Sequence, residues 1–363
     1  MSGRLTRLKK IASGLTLFAV SSFILLALLE LAARILLPGP QFDTRLPLYP
    51  YVEQEREVVL PGIASQSRYS TNRWGFRGED PPEMWDEAFT VVTVGGSTTR
   101  DYYLDDSKTW SAILQDELRD TSPDVWVGNA GLDGHSTRGH LILMDEVIRD
   151  VNPDVVVLLV GVNDLSISFS QAEVEAYDLK TAHPLASSRL FSALRIVKQI
   201  ALDGVYVVDD VGGYTDFEPA IAEEDIFTPL PDDLREVLPS LPLFRDNLNR
   251  IIDLAEELDI QLVILTQPAL LDDTPYWDTV WGKAYWVEEQ SLQISGATFW
   301  RMLDIFNQTA LEVCAERDVI CYDLASNIAH SEENFYDFVH FTEMGSQRVG
   351  EHVARVIESE VMK

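Results

Sequence analysis

The amino-acid sequence predicts an α/β protein: a three-layer α/β/α domain around a mostly parallel five-stranded sheet, preceded by one N-terminal transmembrane helix. Three observations support this fold class. An uncharged apolar run occupies residues 11–29, five short β-branched runs follow further along the chain, and helical patterns lie between those runs. Strands and helices that alternate in this way form a parallel sheet with helices on both faces.

The apolar run, IASGLTLFAVSSFILLALL, is about as long as a helix that crosses the hydrocarbon core of a bilayer. The alternative is a cleavable signal sequence, whose apolar region is usually about 7–15 residues long, with LAARI at 31–35 as a weak cleavage site. We favour an uncleaved anchor, in which Glu30 and Arg34 can pair on one helix face near the interface. Four basic residues and no acid precede the run, so we expect a single-pass protein with a cytoplasmic N-terminus. Residues from 38 onward are then periplasmic or extracellular.

The rest of the chain is strongly acidic. From residue 38 onward it holds 58 acidic and 23 basic residues, a formal charge of −35. Such a surface repels nucleic acid and anionic lipid headgroups, so neither is expected as a partner. The two cysteines, Cys314 and Cys321, lie seven positions apart without the spacing of a metal site. Outside the cytoplasm they can form a disulfide; two buried thiols in neighbouring core elements are the alternative.

The strand candidates are apolar nearly throughout, as strands covered on both faces are. They read FTVVTV, DVWVGNA, DVVVLLV, QLVILTQ and VICYDLA, and begin at residues 89, 124, 154, 261 and 319. The helical patterns span residues 107–120, 137–151, 244–259, 296–318 and 342–362.

Two segments interrupt the alternation of strands and helices. Residues 165–243 form an acidic insertion or cap, and residues 268–300 hold four of the eight tryptophans. Those four are expected to pack in a lid or core, with a sugar or acyl platform as the alternative. The chain thus divides into a cytoplasmic N-terminus and anchor (1–37), a juxtamembrane segment (38–87) and the main domain (88–363). The four tryptophans are Trp277, Trp281, Trp286 and Trp300.

Polar residues follow two of the strand candidates, at the sheet edge where parallel sheets place their ligand sites. Ser97 follows VVTVGG, whose two glycines either supply unusual backbone angles or clear space around a nucleophile. Asn163 follows the third strand candidate. Near the other end of the chain, DFVH offers Asp337 and His340, three residues apart, so that the carboxylate can orient the imidazole. Together these residues supply the parts of an acyl-transfer site.

Four stretches, in order, resemble the blocks of the SGNH (GDSL-type) hydrolase superfamily: GGST, NAGLDG, GVND and DFVH. The resemblance covers about residues 88–360 and implies a flavodoxin-like strand order. It also implies Ser97 as nucleophile, His340 as base and Asp337 as the residue that orients His340. The oxyanion hole would comprise the N–H groups of Ser97 and Gly134 and the side-chain amide of Asn163. Gly134 is preferred to Gly131 because the family pattern reads Asn-x-x-x-x-Gly.

The first block departs from the family pattern, since GGST lacks the acid of Gly-Asp-Ser. Bacterial membrane-anchored members look similar in that respect, and they share a stretch like YSTNRWGFRG at 69–78. We interpret that stretch as a turn that docks on the domain, with Arg73 or Arg77 on the substrate as the alternative. GHSTR, at 134–138, is a near match to the Gly-x-Ser-x-Gly elbow, and we interpret its Ser136 as a helix cap.

The resemblance implies an extracytoplasmic serine esterase that hydrolyses small-molecule or glycan acyl esters, with acetyl as the expected acyl group. Two alternatives remain open: an O-acyltransferase acting on an envelope glycan, and a non-catalytic glycan-binding subunit. No metal or nucleotide signature is present in the sequence, so no cofactor is expected. Apart from His340, no histidine is assigned a role.

Overall fold

The five predicted strands form one parallel sheet in the computed structural model, which describes residues 2–36, 46, 48–169, 174, 190, 229–272, 285–287 and 292–362. Within these residues, the strands are β1 (Glu53–Glu57), β2 (Gln66–Ser70), β3 (Thr90–Val94), β4 (Trp126–Asn129), β5 (Val155–Val160), β6 (Gln261–Thr266), β7 (Tyr285–Val287), β8 (Leu292–Ile294) and β9 (Ile320–Tyr322). The helices are α1 (Ser2–Leu36), α2 (Ser97–Arg100), α3 (Trp110–Arg119), α4 (Thr137–Leu143), α5 (Val162–Ile167), α6 (Leu241–Leu258), α7 (Gly296–Arg317) and α8 (Glu343–Val356).

The spatial order of the sheet is β4–β3–β5–β6–β9, and every pairing in it is parallel. This order confirms the flavodoxin-like arrangement. In such a sheet the chain changes direction between its first and third strands in sequence, here β3 and β5, and ligand sites lie beyond that point. Both strands are buried along their whole length, as their continuous apolar sequences predict.

Helices cover both faces of the sheet. Helix α3 packs against α8 on one face, and α6 packs against α4 and α7 on the other. Alternate strand residues such as Val91, Val155 and Val157 join the core beneath α3 and α8. Successive side chains on a strand point to opposite faces, so the residues between them support the second helical layer.

The helix boundaries lie close to the predicted ones, and local capping explains them. Thr109 and Ser295 accept hydrogen bonds from backbone N–H groups in the first turns of α3 and α7. Helix α7 ends at Asp318, which has a φ of 56°, a left-handed conformation that stops helix growth. Helix α4 continues through a π-turn to Val151, which completes the predicted helix 137–151.

The segment before the sheet contains an antiparallel hairpin, β1–β2, that the sequence analysis did not predict. The loop of the hairpin reaches the start of α8, where the N–H of Glu343 donates to the carbonyl of Gly62 at 3.1 Å. Further along, the N–H of Arg77 donates to the carbonyl of Asn129 at 2.8 Å, at the end of β4. Residues 48–182 and 215–363 form one compact unit, so most of the predicted juxtamembrane segment packs with the main domain.

Residues 1–47 and 183–214 form the other compact unit. Its helix α1 is long and apolar enough for a membrane anchor or a signal peptide. The carboxylate of Glu30 accepts a hydrogen bond from the N–H of Leu190 at 3.0 Å, and the side chain of Arg34 lies outside the described residues. Most of the predicted insertion at 165–243 also lies outside them.

The structure shows the state of the two cysteines and the surroundings of one of the four tryptophans. Cys314 and Cys321 form a disulfide that ties α7 to β9, with a Cα–Cα distance of 5.9 Å. Of the tryptophan group, Trp300 is half-buried and packs edge-on against the ring of His330, with centroids 4.7 Å apart. The other three tryptophan side chains lie outside the described residues.

Candidate active site

Ser97 begins α2, directly beyond the end of β3, and its hydroxyl faces a histidine 243 positions away. The Oγ atom of Ser97 lies 2.7 Å from Nε2 of His340. On the other side of the imidazole, Nδ1 of His340 lies 2.6 Å from Oδ2 of Asp337. The structure therefore brings the three residues predicted from GGST and DFVH into one hydrogen-bonded line at the carboxyl edge of the sheet.

The carboxylate of Asp337 is held firmly in place. It is 1% exposed, and its Oδ1 accepts the N–H groups of Val339 at 2.9 Å and of His340 at 2.7 Å. Burial by itself lowers the pKa of the His340 imidazole, but the charge and the hydrogen bond of Asp337 outweigh burial and raise that pKa above its ordinary value. This environment favours the protonated imidazolium, the form that arises when a histidine accepts a proton.

Neither of the two glycines before Ser97 has a positive φ, and both are required by the close approach of other atoms. Gly96 has a φ of −86° and a ψ of −149°. A Cβ on Gly96 would lie 2.1 Å from Nδ2 of Asn163, and a Cβ on Gly95 would lie 2.1 Å from Oγ1 of Thr99. Gly96 therefore makes room for the amide of Asn163 beside Ser97.

Asn163 lies in the first turn of α5, where Gly161 turns the chain sharply with a φ of 131°. One N–H of the Asn163 amide donates to the carbonyl of His135 at 2.9 Å, which leaves the second N–H for another acceptor. This bond also ties Asn163 to the residue that follows Gly134. The following residue, Asp164, accepts the N–H of Thr137 at 3.0 Å and so anchors the start of α4.

The backbone donors fit the predicted oxyanion hole. Within the described part of the chain, the N–H groups of Ser97 and Gly134 have no protein acceptor. Gly134 has a φ of 69°, and a Cβ there would meet nothing within 4 Å. Gly131 differs: its N–H donates to Oδ1 of Asn129 at 3.0 Å, and a Cβ on it would lie 2.4 Å from the backbone N of Arg100. Gly131 thus packs against α2, which favours Gly134 as the donor.

Arg77, in the stretch YSTNRWGFRG, is buried and supports α2. Its guanidinium donates to the backbone carbonyls of Arg100, Asp101 and Leu104 just after α2, and its Nε lies 2.9 Å from Oδ1 of Asp106. A guanidinium with these internal acceptors and 4% exposure does not reach a substrate. The docking interpretation of this stretch therefore holds for Arg77, and the substrate-contact alternative does not.

Three residues around the site were missed by the sequence analysis: Arg100, Asp101 and Asp133. Arg100 pairs with Asp133 at 2.8 Å, which links α2 to the residue before Gly134. The Asp101 carboxylate accepts the N–H of Trp110 at 3.3 Å. Burial raises the pKa of Asp101 to about 7, opposed by the charge of Arg77 and the Trp110 N–H. Asp101 and Asp133 both add to the negative potential at His340. The only sequence signal for them was their closeness to the GGST and NAGLDG blocks.

The other residues near the site have structural places. Ser136 is the cap residue of α4, although its side chain makes no capping hydrogen bond. His140 is buried, and burial lowers its pKa to about 3, so it is neutral at physiological pH. Among the described residues, no group of three or more His, Cys, Asp or Glu side chains is placed to hold a metal ion.

Comparison with known proteins gives relatives whose names describe lipases, acylhydrolases or esterases. Residues 93–348 match the model of the GDSL-like Lipase/Acylhydrolase family. Esterase TesA of Pseudomonas aeruginosa is 24% identical over 193 residues, which cover 53% of this chain and 88% of that protein. Arylesterase of Vibrio mimicus is 28% identical over 74 residues, 20% of this chain and 37% of that protein.

Solved structures with a similar fold include a crystal structure of TesA, with 15% identity and a TM-score of 0.42 over 74% of this chain and 98% of that one. Another is Axe2, an acetylxylan esterase from Geobacillus stearothermophilus, with 13% identity and a TM-score of 0.43 over 74% of this chain and 93% of that one.

Proposed function

The chain belongs to the GDSL-like lipase/acylhydrolase family and is an ester hydrolase, and we propose that it cleaves esters through Ser97, His340 and Asp337. The observation that carries this proposal is the line of hydrogen bonds from Ser97 Oγ through the His340 ring to Asp337, with distances of 2.7 and 2.6 Å. A nucleophile, a base and a group that orients the base are what acyl transfer through a serine requires.

In the first half of the proposed reaction, Ser97 Oγ attacks the ester carbonyl carbon while Nε2 of His340 accepts the hydroxyl proton. The C=O π bond becomes a C–O⁻ bond, and the negative charge develops on the former carbonyl oxygen. The N–H groups of Ser97 and Gly134 and the free N–H of Asn163 donate to that oxygen. Removing one such donor typically slows an enzyme by about 10²–10³-fold.

In the second half, His340 gives the proton to the alcohol oxygen, and the bond between that oxygen and the acyl carbon breaks. The acyl group remains on Ser97 until water attacks its carbonyl carbon, with His340 again as the base. The bond between that carbon and Ser97 Oγ then breaks, His340 returns the proton to Oγ, and the free acid leaves. The Asp337 carboxylate orients His340 and stabilises the imidazolium in both halves.

The substrate is proposed to be an acyl ester without negative charge, with acetyl as the expected acyl group. The carboxylates of Asp101, Asp133 and Asp337 all act on His340, so an anionic substrate would be repelled at this site. We place the site outside the cytoplasm, with α1 as an uncleaved anchor. The basic residues before the apolar run and the disulfide between Cys314 and Cys321 support that location.

The test compares the full-length chain in detergent with its Ser97→Ala variant, using p-nitrophenyl acetate and longer p-nitrophenyl esters. We expect the substitution to lower kcat at least about 10⁴-fold, since the nucleophile is removed. Ser136→Ala is the matched control, because Ser136 is the other serine in an elbow-like sequence, and this variant should keep the wild-type rate. Equal rates for wild type and Ser97→Ala would refute the proposed nucleophile. Release of free acid that is unaffected by an added sugar acceptor distinguishes hydrolysis from acyl transfer.

A further inference from the structure

A row of tyrosine side chains continues outward from His340. The ring of Tyr336 stacks on the imidazole, with centroids 5.6 Å apart and planes within 9° of parallel. Tyr103 meets Tyr336 edge-on at 6.2 Å, and Tyr102 meets Tyr103 edge-on at 5.2 Å. Tyr103 and Tyr336 are half-buried. We call Tyr102, Tyr103 and Tyr336 the tyrosine row.

The tyrosine row is fixed from behind. The guanidinium of Arg56 lies 3.5 Å from the ring centroid of Tyr102 and 4.3 Å from that of Tyr69, and it also donates to the carbonyl of Tyr102. Burial lowers the pKa of Arg56 to about 10, so it remains a cation at neutral pH and binds the ring faces. At the other end, the N–H of Tyr336 donates to the carbonyl of His340 at 3.0 Å. A surface held in this way loses little freedom when a ligand binds to it.

The direction of the proposed reaction decides which half of the ester meets this surface. His340 must protonate the alcohol oxygen, so that oxygen lies within hydrogen-bond distance of Nε2. The carbonyl oxygen points away from it, toward the N–H of Gly134 and the amide of Asn163. The alcohol half of the ester therefore lies beside the His340 imidazole, on which Tyr336 is stacked.

We infer that the tyrosine row is the binding site for the alcohol half of the ester, and that this alcohol carries a ring with a flat apolar face. This inference rests on the proposed function, since it uses His340 as the proton donor to the alcohol. Tyrosine rings stack on such faces and offer hydroxyls at their edges. The neighbouring carboxylates, Asp101 and Asp133, disfavour an alcohol that carries negative charge. A pyranose sugar and a phenol share this chemistry, and the two are separated by experiment.

The test measures how Tyr103→Ala changes substrate preference in the full-length chain. Ethyl acetate, phenyl acetate and an acetylated methyl glucoside share one acyl group and differ only in the alcohol. We expect the ratio of kcat/KM for a ring-bearing ester to that for ethyl acetate to fall about two- to tenfold in Tyr103→Ala. Tyr103→Phe, which retains the ring, should keep most of the wild-type ratio. Tyr51→Ala, which removes a tyrosine that is 67% exposed and outside the row, should keep all of it.

The outcomes separate cleanly. A fall in the glucoside ratio identifies a sugar alcohol, and a fall in the phenyl ratio alone identifies an aryl alcohol; unchanged ratios for both overturn the inference. Because a ratio is measured, partial unfolding of a variant, which lowers every rate equally, is not mistaken for lost stacking. In the wild type, methyl glucoside or phenol should also inhibit ethyl acetate hydrolysis competitively, and failure of both to inhibit would count against the tyrosine row. Failure of the proposed function looks different, since Ser97→Ala would then hydrolyse these esters as fast as the wild type.

Discussion

Replacing Gly96 with alanine should disable Asn163 without altering the hydrogen-bonded line of Ser97, His340 and Asp337. The new Cβ would lie 2.1 Å from Nδ2 of Asn163 and 3.4 Å from its Cγ. Non-bonded heavy atoms approach most favourably at about 3.5–4.0 Å, so the amide must retreat by more than roughly 1 Å. A donor displaced that far no longer reaches the oxyanion.

The expected loss follows from that geometry. One oxyanion donor is worth about 10²–10³ in kcat, or about 2.7–4 kcal/mol, so Gly96→Ala should lose about as much as Asn163→Ala. KM should change little, because the oxyanion exists in the transition state and not in the bound substrate. The assay is steady-state hydrolysis of p-nitrophenyl acetate by the wild type, both single variants and the double variant. Thermal melts should show that Gly96→Ala remains folded at the assay temperature.

The double variant gives the decisive comparison. If Gly96→Ala acts only through Asn163, adding it to Asn163→Ala should lower kcat no further. The reasoning is refuted if Gly96→Ala alone retains kcat within threefold of the wild type, or if the losses of the two single variants multiply. Gly95→Ala is the matched control, since its Cβ would meet Oγ1 of Thr99 at 2.1 Å and not Asn163. Any fold-loss of kcat in Gly95→Ala should multiply with the fold-loss from Asn163→Ala, because the two substitutions act independently.

Three further predictions concern pH and the disulfide. A general base must be neutral, and Asp337 raises the pKa of His340. We therefore expect kcat/KM to rise with pH around a midpoint above about 6.5, the ordinary pKa of histidine. A midpoint below that value would contradict the effect of Asp337 on His340. Burial raises the pKa of Asp101 from its ordinary range to about 7, so its contribution to stability is present below about pH 4 and is lost as pH rises toward 7. Urea titrations should therefore show Asp101→Asn gaining stability relative to the wild type between about pH 4 and pH 7; a constant difference would argue against the raised pKa. Reducing the disulfide between Cys314 and Cys321 should lower the free energy of unfolding by about 2 kcal/mol in urea titrations, and no change would show that the bond is not formed in solution.

The order of strands and helices was readable from the sequence because the forces that set it are local and periodic. Strands buried on both faces, such as Val155–Val160, need uninterrupted apolar runs. The helices between them are bounded by capping residues, such as Thr109 before the start of α3 and Asp318 after the end of α7. The hairpin β1–β2 escaped notice because its strands, EQERE and QSRYS, are short and polar and carry almost no apolar signal. The sequence of this hairpin does not reveal its contact with α8.

The residues proposed for the site were found through short motifs, since each motif lies at a strand end or in a loop that the topology brings to the same edge. The motifs did not show why two glycines precede Ser97. That reason lies in two side chains: Asn163, in the first turn of α5, approaches Gly96, and Thr99 approaches Gly95. They also left open the state of Cys314 and Cys321, because a separation of seven suits both a disulfide and two thiols, and the 5.9 Å between their Cα atoms favours the bond.

The sequence by itself thus determined the fold class, the candidate nucleophile and the pair proposed to activate it, because apolar periodicity and spacing within a motif act over a few residues. The tertiary structure alone decided that Arg77 supports α2, that Asp101 and Asp133 add negative charge around His340, and that a tyrosine row extends from the imidazole. Each of these depends on a distance between segments far apart in the chain. No local pattern encodes such a distance, since it is set by how whole helices and strands pack.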